Sequence, residues 1–197
     1  MKIDDYLSKY PLDFINIVGP MLKQQLNLEG PIIYVDGGAN FRKKKEGFSL
    51  GDNDSSHSKL DLCLPPDNNY SDLSFALKHC KRFHQLELHG FLDGRKDHEI
   101  INFGEVHHHL KNETGQQVNF EKKVCAYSHG EWEIKYKGLF SIFCFEETKL
   151  SILGKIKYPL KDHSIKPFSS YGLSNISEGD FSIKADGPVF IFFTEEL

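Results

Sequence analysis

Cysteine is scarce and scattered in this chain. The four residues, Cys63, Cys80, Cys125 and Cys144, form no Cys-x-x-Cys pair and stand at no metal-type spacing from a histidine. A zinc ribbon and a disulfide scaffold are thereby excluded, and buried thiols are expected. No apolar run approaches the roughly 20 residues that a membrane-spanning helix needs. Positive charge is not in excess either: 24 Lys and Arg face 28 Asp and Glu, a formal net charge of −4. No general attraction to nucleic acid or to an anionic membrane follows from that balance. The opening Met1-Lys2-Ile3-Asp4-Asp5 has acids where a secretory leader has bases and an apolar run, so the cytoplasm is the expected compartment. Internal repeats and low-complexity segments are missing too.

What remains is a globular composition with a pattern in its turns. With 197 residues, 39% of them hydrophobic, the chain can bury one substantial core or two smaller ones. Three acidic, glycine-bearing segments end apolar runs in the first half: Asp36-Gly37-Gly38-Ala39-Asn40, Gly51-Asp52-Asn53-Asp54-Ser55 and Asp93-Gly94-Arg95-Lys96-Asp97-His98. Each alone is an ordinary turn. In this order they suggest a site for a nucleotide and a metal, because glycine lets backbone N–H groups approach phosphate and aspartate supplies the hard oxygen ligands preferred by Mg²⁺. Asp52 and Asp54, two apart in an irregular loop, can turn toward one ion, or form a solvated Asx turn. Arg95 can clamp a phosphate or pair with Asp93 or Asp97 at the surface. His98 reads equally as a helix-start residue and as a proton-handling group. The run His107-His108-His109 reads as a solvated helix end, since consecutive residues on a helix diverge.

Residues 14–18 and 31–35 read as strands, the second apolar throughout, as in parallel sheets buried on both faces. Residues 48–50 and 85–88 read likewise, and residues 21–26 as a helical turn or two. Ser71 is the expected cap of one helix, and Asp97 precedes another with Ile100, Ile101, Phe103, Val106 and Leu110 as its apolar positions. An α/β domain with a mainly parallel sheet over residues 1–120 is expected, its ligand beyond the carboxyl ends of the strands. From about residue 114 the texture becomes short aromatic and β-branched runs at 132–136, 139–145, 149–153, 181–183 and 189–193, separated by turns, which predicts an all-β sandwich over 121–197.

With these segments placed, the chain resembles the thiamin pyrophosphokinases. Val35-Asp36-Gly37-Gly38-Ala39-Asn40 looks like that family's DGGAN, Gly51 to Ser55 like its GDFDS, and Gly90 to His98 like its G-x-x-GGR-x-DH followed by an Asn, here Asn102. Lys157-Tyr158-Pro159-Leu160 and Gly172-Leu173-Ser174-Asn175 resemble its GLKYPL and S-N segments. Motifs from both halves matching in order are more specific than any one of them. The resemblance implies pyrophosphoryl transfer from ATP to the hydroxyl of thiamin, a requirement for Mg²⁺, and a homodimer with thiamin sites between subunits. It implies that Asp52, Asp54 and Asp72 hold metal and phosphates and that Arg95 and Asp97 line the reacting region. Asp36, Gly37, Gly38, Asn40, Ser55 and His98 would then meet the nucleotide, and Tyr158, Ser174 and Asn175 the thiamin. Read without it, Tyr158 is core and Ser174-Asn175 a turn.

Three features depart from the family pattern. Its acidic helix-start segment is here Asp67-Asn68-Asn69-Tyr70-Ser71-Asp72, with Asn69 for a carboxylate. Asp93 stands where a glycine precedes the arginine, and the stretch 41–50, with Arg42-Lys43-Lys44-Lys45, is short and basic. That basic run reads as a solvated loop or as a contact for triphosphate. Two rival readings stay open: a pyrophosphokinase acting on a pterin alcohol, which would not need the Ser174-Asn175 half, and a non-catalytic thiamin-binding homologue, motivated by Asn69 and Asp93.

Overall fold

A computed structural model describes residues 2–43, 46–52, 54, 56–66 and 69–194. Ser55, Lys44, Lys45, Asp67 and Asn68, which the sequence placed in or near the site, lie outside the described residues. The chain divides into two compact units, Met1–His109 and Leu110–Leu197. Its architecture is mixed β with few helices, three α-helices among the described residues.

The first unit opens with helix α1 (Ile3–Leu7) and strand β1 (Phe14–Val18), followed by β2 (Ile32–Val35), β3 (Phe48–Gly51) and the two-residue β4 (Leu62–Cys63). Helix α2 (Asp72–His79), strand β5 (Gln85–His89) and helix α3 (Lys96–Leu110) complete it. The strands lie in the order β5-β1-β2-β3-β4, every neighbouring pair parallel. Ile15, Ile17, Ile33, Leu50, Leu86 and Leu88 have no exposed surface, which is why these strands read as continuous apolar runs.

Expected alternation of strand and helix does not hold here. Residues 19–31, between β1 and β2, contain no helix. Their backbone instead follows the end of β5: Gly19 N donates to His89 O at 2.7 Å and Met21 N to Gly90 O at 3.0 Å. Asn16, buried within β1, fixes the other end by donating to Glu29 O at 2.8 Å. Between β2 and β3 a 3-10 turn (Asp36–Phe41) stands in place of a longer helix.

Helix α2 has the cap its sequence predicts, with Ser74 N donating to Ser71 Oγ at 3.0 Å. The same hydroxyl donates to Glu105 Oε1 at 3.0 Å, tying the start of α2 to α3. On α3 the apolar positions divide differently from expectation. Val106 and Leu110 are buried, whereas Ile100 and Ile101 are each 58% exposed. His107 is buried rather than solvated. Cys80 and Cys144 are buried as expected, but Cys63 is exposed and Cys125 half-buried.

The second unit is all β among its described residues, apart from one short 3-10 turn (Ser170–Gly172). It contains β6 (Gln117–Phe120), β7 (Val124–Tyr127), β8 (Gly130–Ile134), β9 (Gly138–Phe143), β10 (Thr148–Ile156), β11 (Leu160–Ile165), β12 (Asn175–Ala185) and β13 (Val189–Phe193). These strands pair antiparallel in the order β11-β10-β12-β9-β13-β7-β6, and β8 also pairs with β12. Alternate side chains of β9, β10, β12 and β13 point into one core around Phe140, Ile142, Ile152, Phe181 and Ile183, the period of a sheet with one buried face. Phe140 and Phe181 stack there at 4.6 Å between ring centres.

Candidate functional site

Because β1, β2, β3 and β5 run parallel, their carboxyl ends open on the same edge of the first unit. Chain order reverses at β1, with β2 on one side and β5 on the other, and such a switch point leaves a crevice where ligands sit in open parallel sheets. The acids that follow β2 and β3 converge there. Asp36, Asp52 and Asp54 each bring a carboxylate oxygen within 4.8 Å of the others. Asp72 adjoins them from the first turn of α2, its Oδ2 accepting from Asp52 N at 3.4 Å. Among the described residues the three-carboxylate group therefore contains Asp36, which the sequence assigned to the nucleotide, with Asp72 beside it.

The convergence depends on close backbone approach. A side chain at Gly51 would come 2.9 Å from Asp36 Cα and 3.0 Å from Asp72 Oδ2, and the residue has φ +154. Gly38 is packed still more tightly, since a Cβ there would lie 2.1 Å from Val18 O. Gly37 and Gly38 are both buried, and the smallness of Gly38 serves the contact between this turn and β1. Asp36 itself takes a left-handed backbone, φ 48, which costs a non-glycine residue on the order of 1 kcal/mol. Asn40 holds the following loop, its Oδ1 accepting from His57 N at 2.8 Å. In the Asp52 loop, Asp54 N donates to Asp52 Oδ1 at 3.1 Å, so an Asx turn and the clustering of carboxylates coexist.

Electrostatics follow from this crowding. Burial first, and then the negative charge of Asp52, Asp36 and Asp54, push the Asp72 carboxyl up to about 6. A carboxyl raised in the folded state holds its proton better there than in the unfolded chain. Its stabilising contribution is thus present below the ordinary carboxylate range and is lost as pH rises from about 4 to about 6. Asp72→Asn removes that cost. In chelator-treated protein at pH 8 the variant is expected to be about 1–2 kcal/mol more stable than the parent by urea denaturation, discounting the shift for partial solvent exposure. At pH 4 the two curves should coincide; an advantage that persists there would mean that the gain is not electrostatic.

The third segment forms the other wall of a cleft of about 230 Å³. Asp36, Asp72, Arg95, His98, Glu99 and Asn102 contribute its polar side, and Pro20, Met21, Val35, Leu73 and Phe91 its apolar side. Met21, Phe91 and Glu99 were not foreseen, because nothing in their local sequence marks them. Arg95 is 69% exposed and pairs with Asp97 through Nε to Oδ1 at 3.2 Å and Nη2 to Oδ2 at 2.5 Å. The hydrogen bond from Arg95 holds the Asp97 carboxyl down at about 2. Asp97 does not line the cleft and meets it through Arg95. Asp93 adopts φ 60, the backbone form that a glycine would take, and its side chain turns toward Lys23, 3.8 Å away. The extra charge therefore stands outside the cleft lining.

Two further sequence expectations change. Arg42 is not a solvated or phosphate-facing cation: its guanidinium meets Asp61 at 2.7 Å, Ser49 Oγ at 2.9 Å and Gly47 O at 2.9 Å, clasping the start of β3. In the second unit Tyr158 is 54% exposed rather than core. Asn175, almost fully buried, accepts from Tyr158 N at 3.0 Å and donates to Tyr158 O at 2.8 Å. Ser174 is exposed with φ 57, its N–H donating to Ser141 Oγ at 3.0 Å.

As a donor set, carboxylates this crowded suit a hard divalent cation such as Mg²⁺, which prefers oxygen ligands and offsets their repulsion. No helix of the described residues is long and apolar enough to cross a membrane.

No family model matches the sequence, and no curated protein matches it. Solved structures do. Thiamine pyrophosphokinase from Bacillus subtilis aligns with a TM-score of 0.73 at 21% identity, covering 94% of this chain and 100% of its own. The Geobacillus thermodenitrificans enzyme gives 0.69 at 19%, covering 92% and 98%, and that from Candida albicans 0.68 at 12%, covering 96% and 90%. From parallel strand ends to antiparallel second unit, the chain has the fold of the thiamin pyrophosphokinases.

Proposed function

We propose that the chain is a thiamin pyrophosphokinase, transferring the pyrophosphoryl group of ATP to the hydroxyl of thiamin. The observation that carries this reading is the convergence of Asp36, Asp52, Asp54 and Asp72 beside Arg95 and His98 at the carboxyl ends of parallel strands. In the reaction the thiamin hydroxyl oxygen bonds to the β-phosphorus of ATP. The bond from that phosphorus to the oxygen bridging to the α-phosphate breaks, AMP leaves, and the hydroxyl proton is lost. Such a transfer needs little covalent participation from the protein, and positioning together with charge stabilisation suffices.

Asp36, Asp52 and Asp54 would hold Mg²⁺, with Asp72 adjoining. Bound there, the ion neutralises charge on the phosphate oxygens. Arg95 offers a planar fork of donors to a phosphate and would exchange Asp97 for it. The apolar side of the cleft, with Phe91 and Met21, gives a flat base a surface to lie on. His98 stands in the cleft where it can accept a proton. The first unit serves in this reading as an α/β nucleotide-binding domain and the second as a β-sandwich for thiamin, acting in a cytoplasmic homodimer.

Incubation with ATP, Mg²⁺ and thiamin should give AMP and thiamin diphosphate in equal amounts by chromatography. ADP as the nucleotide product would replace the reaction type, and no consumption of ATP would favour a thiamin-binding homologue without catalysis. A monomer by light scattering at micromolar concentration would remove the dimeric part of the reading.

A further inference from the structure

Two side chains one turn apart on α3 reach back to the loop after β5. Asn102 Nδ2 donates to Phe91 O at 3.1 Å. Glu99 Oε1 accepts from Gly94 N at 3.2 Å. The loop between those two anchors carries Asp93, in its left-handed conformation, and leads directly into Arg95. Glu99 is itself held: Lys96 Nζ donates to its two carboxylate oxygens at 3.1 and 2.8 Å, and its side chain is only 14% exposed. Contact with Lys96, and then the backbone N–H groups of Asp93 and Gly94, keep this carboxyl below the ordinary range, so it is an ionised acceptor at neutral pH. The Arg95 guanidinium, by contrast, is exposed and pairs with Asp97, while its carbonyl oxygen accepts from Glu99 N at 3.1 Å at the start of α3. Its place in the cleft is therefore set by the backbone that Glu99 holds.

We propose that Glu99 is a positioning residue that fixes the Asp93-Gly94-Arg95 turn and so presents the Arg95 guanidinium to the phosphates of the nucleotide, an inference that rests on the pyrophosphokinase reading. Glu99 would not touch the reacting atoms. It acts through charge-assisted hydrogen bonding to the turn, with the Gly94 amide at 3.2 Å and the Asp93 amide beside it, and the loss of that contact sets the size of the expected effect.

Two variants separate the hydrogen bond from the charge. Glu99→Ala removes the acceptor, whereas Glu99→Gln retains an amide oxygen for Gly94 N and loses the ion pair with Lys96. Glu99→Ala is expected to weaken ATP affinity, read by displacement of a fluorescent ATP analogue and as KM for ATP, by about tenfold. KM for thiamin should be unchanged, and Glu99→Gln should recover affinity to within about threefold of the parent. A merely structural role would lower the active fraction, and with it kcat, without this split. Amide exchange of residues 91–97 in nucleotide-free protein gives a readout independent of activity: about tenfold faster in Glu99→Ala and near the parent rate in Glu99→Gln.

The proposal is overturned if Glu99→Ala matches the parent in exchange, if Glu99→Gln is as impaired as Glu99→Ala, or if either variant binds ATP more tightly. The last result would mean that the carboxylate competes with phosphate. A parent protein that binds no ATP counts against the pyrophosphokinase reading instead. Exchange then decides alone whether Glu99 holds the turn, with unchanged rates in Glu99→Ala overturning that as well.

Discussion

Gly38→Ala is expected to lower stability by about 3 kcal/mol or more, the range of severe overpacking in a site that cannot relax. The new Cβ would lie 2.1 Å from Val18 O and 2.8 Å from Val18 C. Both are backbone atoms of the central strand β1, so no rotamer change can make room. Either β1 shifts against β2 and β5 or the turn 36–41 lifts off it, and the second outcome carries Asp36 out of the carboxylate group. Gly104→Ala is the matched control, because a Cβ on that helical residue meets nothing within 4 Å. It should be neutral or stabilising by up to about 1 kcal/mol through helix propensity. Urea denaturation of the two variants beside the parent checks both. A loss at Gly38 below about 1 kcal/mol would mean that the strand and the turn are not locked together.

Asp54→Asn should separate stability from activity in the opposite sense. The substitution keeps the side-chain shape and leaves the backbone bond from Asp54 N to Asp52 Oδ1 intact. It removes one of three carboxylates whose oxygens lie within 4.8 Å of each other. Folding should be unaffected or slightly favoured, because like charges this close repel. AMP formation in the presence of Mg²⁺ should fall by about a hundredfold or more, equivalent to some 2.7 kcal/mol of lost transition-state stabilisation. The magnesium concentration for half-maximal rate should rise in parallel. Turnover within threefold of the parent, with an unchanged magnesium titration, would place the functional cation elsewhere.

Much of the first unit could be read from local composition, and the reason is physical. A parallel strand covered on both faces is an uninterrupted apolar run, as in Ile32–Val35, and the turn that ends it must hold residues able to leave the sheet. That logic located Asp36, Asp52 and Arg95 without knowledge of their neighbours. It could not locate what depends on a distant partner. Residues 21–26 look helical in isolation, yet Met21 N is bound by Gly90 O some seventy residues away, and that bond is invisible to periodicity. Ile100 and Ile101 count as core in a pattern search but lie exposed on α3, where the buried face is chosen by what packs against the helix. Glu99 looks like any acid in a first helical turn until Gly94 N is seen beside it. The second unit was legible as runs and turns at β9, β10 and β13. Strands β6 and β7 are only four residues each, too short for their pattern to stand out, and β11, mostly polar in sequence, becomes a strand through its pairing with β10.

The side chain of Asn175 closes a ring of bonds around one residue. Both polar backbone groups of Tyr158 are engaged by it, which takes up the N–H and one of the two lone pairs of the carbonyl. What this exposed residue offers to solvent is chiefly the face and hydroxyl of a phenol, and that face already has a cation within reach in Lys157 Nζ, 5.2 Å from the ring centre. The surface at this point is therefore aromatic in kind, and a flat or positively charged group over the ring would have to displace the lysine.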